Sequence, residues 1–234
     1  MNLTSTDNRK AGMALILGTV GDIVTMAIHP MGSGSLTAAQ MNHLALASAI
    51  AHSLAIASLV PLFLGAIGLT LRLNSFEERR ANPDRLALAA LVTFALALVA
   101  ILTAAAVSGF ITPTIIRKMT EDNAANAMQW QMIIRAVFQF NQTFAQIYSV
   151  AASLAIVLWS ASILRNGGLV RRIALYGCML PPLLIVLIAA GHIRLNVHGM
   201  AAVVLVHAVW FIGVGMQLYK HADAVPTSKV EREL

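Results

Sequence analysis

The stretch "GTVGDIVTMAIHP" sets a carboxylate, Asp22, inside the first long apolar run of the chain. An ionisable group inside a membrane span is costly, and it pairs, faces water or meets a ligand. At about 100° per residue, Gly18, Asp22, Thr25 and His29 fall within about 60° of one another, a small and polar stripe that must face protein. Counted from the inner end of each span at ~1.5 Å per residue, Asp22 lies roughly 17 Å deep and His207 about 18 Å. Arg135 comes out at roughly 43 Å, at or beyond the outer headgroups, and is too far away to neutralise Asp22. An Asp22–His207 pair in mid-membrane would do proton-linked or cation-binding chemistry. The alternative is a hydrogen bond that ties two helices together around a neutral Asp.

A second set of histidines, His29, His52, His192 and His198, falls at roughly 27 to 32 Å, level with Gln146. A metal centre needs three or four ligands converging at about 2.0 to 2.1 Å. No HxxxH or HExxH places two of them on one helical turn. His43 and His52, like His198 and His207, are nine residues apart and point to opposite faces, which disfavours two haems stacked along one helix. These four histidines are the candidate metal or haem ligands, with no cofactor assigned.

The longest patterned polar feature is Gln131, Arg135, Gln139, Gln142, Gln146 and Ser149, recurring at spacings of 4, 4, 3, 4 and 3. Amides donate and accept hydrogen bonds without burying a charge. The reading favoured here is an outward-opening cavity with Asp22 and His207 at its floor and Gln142 and Gln146 on its wall, Arg135 standing at the outer end. The plainer alternative is an exposed amphipathic extension whose inner glutamines bond neighbouring helices. No GxSxG, phosphate-binding glycine loop or dinucleotide fingerprint is present.

The elements that must position these residues are membrane helices. Of the 234 residues 58% are hydrophobic and only 11% charged, far from the ordinary soluble mix of about 25% charged. Six Ala- and Leu-rich runs are long enough to cross a hydrocarbon core of about 30 Å, and they lack the alternation of barrel strands. They begin near Ala11, end near Tyr219 and predict an all-α bundle of three antiparallel hairpins. Residues 1–10 and 221–234 are then cytoplasmic tails around a domain of residues 11–220. The first run is read as a retained span and not a signal peptide, because Asp22 interrupts it and no small-x-small cleavage site follows.

Twelve of the sixteen Lys and Arg residues fall on the side of the termini; only Arg117, Lys118, Arg135 and Arg194 fall opposite. That is the positive-inside bias, with both termini in the cytoplasm of a bacterial inner membrane. The net charge of +6 is therefore spread over connections and makes no nucleic-acid surface. The bilayer is the expected partner, with a small molecule or lipid as ligand; oligomeric state is not legible.

Finer expectations follow. "TAAQMNH" and "NAMQWQMIIRAVFQFNQTFAQ" extend the second and fourth helices on the outer side, while "PMGSGSLT" and "ITPTIIRKMTEDNAAN" are outer connections. Pro61 and Pro181-Pro182 kink their helices. Trp159, Tyr176, Tyr219 and Trp130 sit where an aromatic belt would. The lone Cys178 excludes an internal disulfide and packs as a small apolar side chain.

Two stretches, "RKAGMALILGTVGD" and "AQIYSVAASLAIVLWSASILRNGGLVRRIALYGCMLPPLLIVLIAAG", give the chain a resemblance to the uncharacterised bacterial six-span membrane proteins of domain-of-unknown-function family 4386. The resemblance implies a six-helix fold and carries no catalytic residue; where that family has a Pro near the "RNGGLVRR" turn, Leu169-Val170 stand here. The functional expectation is a binding or transfer protein, with a membrane redox or metal enzyme and a structural membrane subunit as alternatives.

Overall fold

The structure is a computed structural model and describes residues 5–30, 38–75, 84–122, 126–167, 169 and 171–220. Helix α1 is Ser5–Ile28, α2 Ala38–Asn74 and α3 Arg85–Ala106; a π-helical turn, Val107–Ile111, leads into α4, Thr112–Glu121. Then come α5, Ala127–Asn166, α6, Arg171–Ala189, and α7, Val197–Lys220. The described residues are all-α, with six helices long and apolar enough to cross a membrane. Helices satisfy their backbone groups internally, as a hydrocarbon environment demands. The first helix starts at Ser5, six residues before the apolar run that announces it.

The extensions before the second and fourth spans are helical, as expected. Helix α5 has 40 residues and so runs for about 60 Å, twice the hydrocarbon thickness. One expected connection is not a loop. "ITPTIIRKM" continues the third span as a helix, so that α3, the π turn and α4 form one element from Arg85 to Met119. Pro113 explains the π turn. It lacks an N–H, and the Thr112 N–H reaches back to the carbonyl of Val107, which widens the helix and makes room for the ring.

Small residues set the packing of α1. A Cβ on Gly18 would lie 2.6 Å from the backbone nitrogen of Leu62 on α2, and one on Gly12 would strike the carbonyl of Gly215 on α7. Helices α1 and α2 pack as a hairpin, and so do α3 and α5. The third expected hairpin, α6 with α7, is in contact through Tyr176, whose hydroxyl donates to the carbonyl of Val206, and through Gly177 against Trp210, but it is the least closely packed of the three. Helix α6 lies chiefly on α5 and α7 chiefly on α1, because the glycines of α1 and α7 let those two backbones close together.

The half of the bundle nearest the chain termini is filled by aromatic rings. Trp159 and Trp210 stack with centroids 5.8 Å apart, and Phe94 meets Trp159 at 5.4 Å and Phe211 at 5.3 Å. Each indole finds an acceptor: Trp159 donates to Thr70 Oγ1 and Trp210 to Ser160 Oγ. Trp159 is thus wholly buried in the core and not in an interfacial belt. Its face of α5 is turned inward by the small neighbours Ala152, Ala155 and Ser160, all buried.

At the same end Asp84 caps α3, accepting from the N–H groups of Leu86 and Ala87. Ser162, Arg165 and Asn166 of α5 also donate to its carboxylate, and its own N–H donates to Asn74 of α2. Burial pushes the Asp84 carboxyl up, but the Ser162 and Asn166 hydrogen bonds, the Arg165 guanidinium and the Leu86 N–H outweigh it and hold the carboxyl at about 2.

Candidate functional site

The opposite half of the bundle, towards α4, holds a partly open cavity of about 1140 Å³. Every span except α6 lines it, and most of its wall is aliphatic, with Met26, Leu59, Ile101 and Val204 among the lining side chains. None of the four core aromatics reaches it, so the ring cluster lies below its floor. Polar side chains enter the wall as well: Asp22, His29, His52, Asn141, Gln142 and Tyr148, with Arg117 and Glu121 of α4 and several hydroxyl and amide groups.

Asp22 is positioned by α1, whose glycines draw it against α2. A Cβ on Gly21 would overlap Ser58, so the turn carrying Asp22 is fixed at van der Waals contact with its neighbour. The small polar stripe behaves as read from sequence in one respect, since Thr25 and His29 line the same cavity. Thr25 spends its hydroxyl on the carbonyl of Gly21. The Asp22 carboxylate has no hydrogen bond or ion pair with any described residue. It does lie within electrostatic reach of the Tyr148 hydroxyl.

His207 is not its partner. Helices α1 and α7 are neighbours, as the pairing required, but His207 is 2% exposed, lies outside the cavity lining and places Nε2 3.0 Å from Ser153 Oγ on α5. The Tyr148 ring meets His207 edge to face at 5.9 Å and itself lines the cavity, so it touches both. Nδ1 of His207 is buried without a partner. The arrangement that orphans no N–H has Nε2–H donating to Ser153 and a bare Nδ1.

Of the four outer histidines only His29 and His52 come together, their rings meeting edge to face at 5.0 Å. His192 and His198 are exposed and outside the lining. Among the described residues no three His, Cys, Asp or Glu side chains converge as a metal site would need. The pair has fixed tautomers all the same. Nδ1 of His52 lies 2.7 Å from the carbonyl of Ser48 and Nδ1 of His29 3.2 Å from that of Pro30; a carbonyl only accepts, so each Nδ1 carries a proton.

Pro113 reaches this pair through the backbone. In the π turn the Ser108 carbonyl would accept from residue 113, which has no N–H, and Ser48 Oγ donates to it instead at 3.2 Å. Gly109 lets His52 close on the same turn, since a Cβ there would stand 2.5 Å from His52 Cβ. The sequence places "VSGFI" at the end of the third span and "ITPTIIRKM" in a connection, which does not disclose their part in the site; the signal is a Pro four residues after the Gly of "SG" at the end of an apolar run.

The glutamine stripe divides. Gln142 lines the cavity and donates to the carbonyl of Leu195, pinning the segment before α7. Gln131, Arg135, Gln139 and Gln146 are exposed and line nothing, and Ser149 is buried on its own carbonyl contact with Ala145. The face that α5 offers to the cavity is the adjacent one, Ile134, Val137, Phe138, Asn141, Ala145 and Tyr148. A helix of about 60 Å is twice the thickness of a hydrocarbon core, so its stripe runs on beyond the part that lines the cavity. Asn141, which the stripe skipped, leaves Oδ1 buried without a partner at the cavity wall.

An apolar chamber with a few convergent polar groups is the usual form of a small-molecule site. No protein-family model, curated protein or solved structure matches the chain.

Proposed function

We propose that this multi-pass membrane protein binds a small amphipathic or lipid-like molecule in the cavity and moves it to or from the bilayer. The observation that carries the reading is the chamber itself: about 1140 Å³, aliphatic over most of its wall, with Asp22 on the lining and bonded to no described residue. Helix packing alone gives no reason to keep a carboxylate on the wall of a largely aliphatic cavity. In this reading both termini are cytoplasmic and the cavity opens outward, supported by the basic residues Arg9, Lys10, Arg72, Arg165, Arg171 and Lys220 at the terminal end. Kinship to domain-of-unknown-function family 4386 is part of the proposal, carried by the two quoted stretches, and adds no activity.

Mass spectrometry of extracts from purified protein tests it, with Leu59→Trp as the comparison because Leu59 already faces the chamber. A molecule carried at near-stoichiometric amount by the wild type and reduced at least fivefold in the variant supports the reading. Equal content in both proteins refutes it.

A metal or haem enzyme is the second reading, favoured by the fixed tautomers of His29 and His52, which leave two Nε2 atoms free to ligate. Elemental analysis and a visible spectrum of the purified protein decide it.

A further inference from the structure

We propose that the ligand of the cavity is a lipophilic cation, an ammonium or similar charge on an apolar body, seated with its charge against Asp22 and Tyr148. The inference rests on the binding function proposed above and names the chemistry of its ligand. The charge pattern of the lining carries it. Besides Asp22 the titratable or charged groups among the described residues that face the chamber are His29 on α1, His52 on α2, Arg117 and Glu121 on α4 and Tyr148 on α5; the described α3 and α7 walls supply none.

Among the described residues Arg117 is the single Lys or Arg on that wall, and its place in the helices sets it far from Asp22. His29 and His52 stand at the level of Gly109. Asp22 is seven residues deeper along α1 and Arg117 eight residues farther out along the third span, which separates them by roughly 20 Å along the bundle. At that distance the arginine does not serve as the counter-charge of the floor.

The same lining carries Met26, Leu59, Ala104, Ala145 and Val204, and the Tyr148 hydroxyl lies within electrostatic reach of Asp22. A carboxylate on a largely apolar wall with no partner among the described residues is costly, and a ligand that brings positive charge to it gains an interaction that a neutral ligand of the same shape lacks. An aromatic face adds attraction for the same sign of charge, most of all where water is excluded. An anion of that shape meets repulsion from Asp22 and the negative face of the ring.

Three probes of similar bulk separate charge from shape: tetraphenylphosphonium, neutral triphenylphosphine oxide and tetraphenylborate, bound to the full detergent-purified chain in equilibrium dialysis. The expected result is a phosphonium affinity at least tenfold above that of the neutral probe, with tetraphenylborate the weakest. Asp22→Asn is expected to remove at least tenfold of the phosphonium affinity and leave the neutral probe unchanged, while Asp22→Glu keeps most of it. Unchanged phosphonium binding by Asp22→Asn, or wild-type binding of tetraphenylborate as tight as of phosphonium, overturns the charge assignment while the cavity reading stands. If the wild type binds none of the three, the cavity reading falls with it. Retained neutral-probe binding shows that the variant is folded.

Discussion

Arg165 places Nη2 2.6 Å from Oδ1 of Asp84 and so fastens the end of α5 to the start of α3. The carboxylate is 0% exposed in its side chain while the guanidinium is 51% exposed, so the pair is anchored from the Asp side. Most of its worth lies in the cap and the Ser162 and Asn166 hydrogen bonds, because the half-exposed Arg is screened by solvent. Asp84→Ala removes an N-cap and leaves buried donors without acceptors, an expected loss of about 2 to 4 kcal/mol. The carboxyl is held at about 2, below its ordinary value near 3.9. Its stabilisation is therefore complete above about pH 4 and fades as pH falls towards 2. Thermal unfolding in detergent should show a wild-type advantage that is flat from pH 5 to 8 and shrinks below 4; an advantage that grows on acidification contradicts the assignment.

Asp84 also shows where the sequence stops being informative. Six spans follow from the apolar runs alone, because crossing a bilayer imposes length and composition together. The protein-facing stripe of Asp22 is likewise a matter of helical angle. Asp84 carries the ordinary mark of a helix start, an Asp directly before an apolar run, yet its partners Ser162, Arg165 and Asn166 lie some eighty residues away and nothing local points to them. Depth counting put His207 level with Asp22 and could not say which way its ring turns, towards Ser153. The α5 stripe failed for a related reason: the angle was legible, but where the helix leaves the bundle was not.

Gly18 is a place where no side chain fits, with Leu62 backbone atoms 2.6 and 2.8 Å from a Cβ built there. Gly18→Leu should therefore separate α1 from α2, a strain beyond the usual 1 to 3 kcal/mol of overpacking. The expected readout is loss of the monodisperse peak in size-exclusion chromatography. Leu17→Ile, one residue away at an exposed position, should elute as wild type; wild-type behaviour of Gly18→Leu would mean that the two helices are not so closely packed.

Orientation can be read from the single cysteine. In a Cys178→Ser background, Asn196→Cys and Lys220→Cys place one exposed thiol at each end of α7. A membrane-impermeant maleimide added to intact spheroplasts should label Asn196→Cys and reach Lys220→Cys only after permeabilisation. The reverse pattern would invert the proposed topology and turn the cavity towards the cytoplasm.

His207 is expected to act in packing, and the orphaned Nδ1 makes that testable. Ser153→Ala takes away the one hydrogen-bond partner of the ring and leaves both nitrogens buried and unsatisfied, a cost of about 1 to 3 kcal/mol. His207→Phe removes the polar atoms and keeps the ring that meets Tyr148 edge to face, so its cost should be smaller than that of Ser153→Ala. The double variant should recover most of what Ser153→Ala loses, because no imidazole is then left to satisfy. Thermal unfolding of the four proteins closes the cycle, with a coupling of at least about 0.5 kcal/mol expected for side chains in direct contact. Phosphonium binding should stay within twofold of wild type throughout. A tenfold loss in His207→Phe, with stability intact, would instead mean that Tyr148 relays His207 to Asp22 and that the mid-membrane pair acts through it.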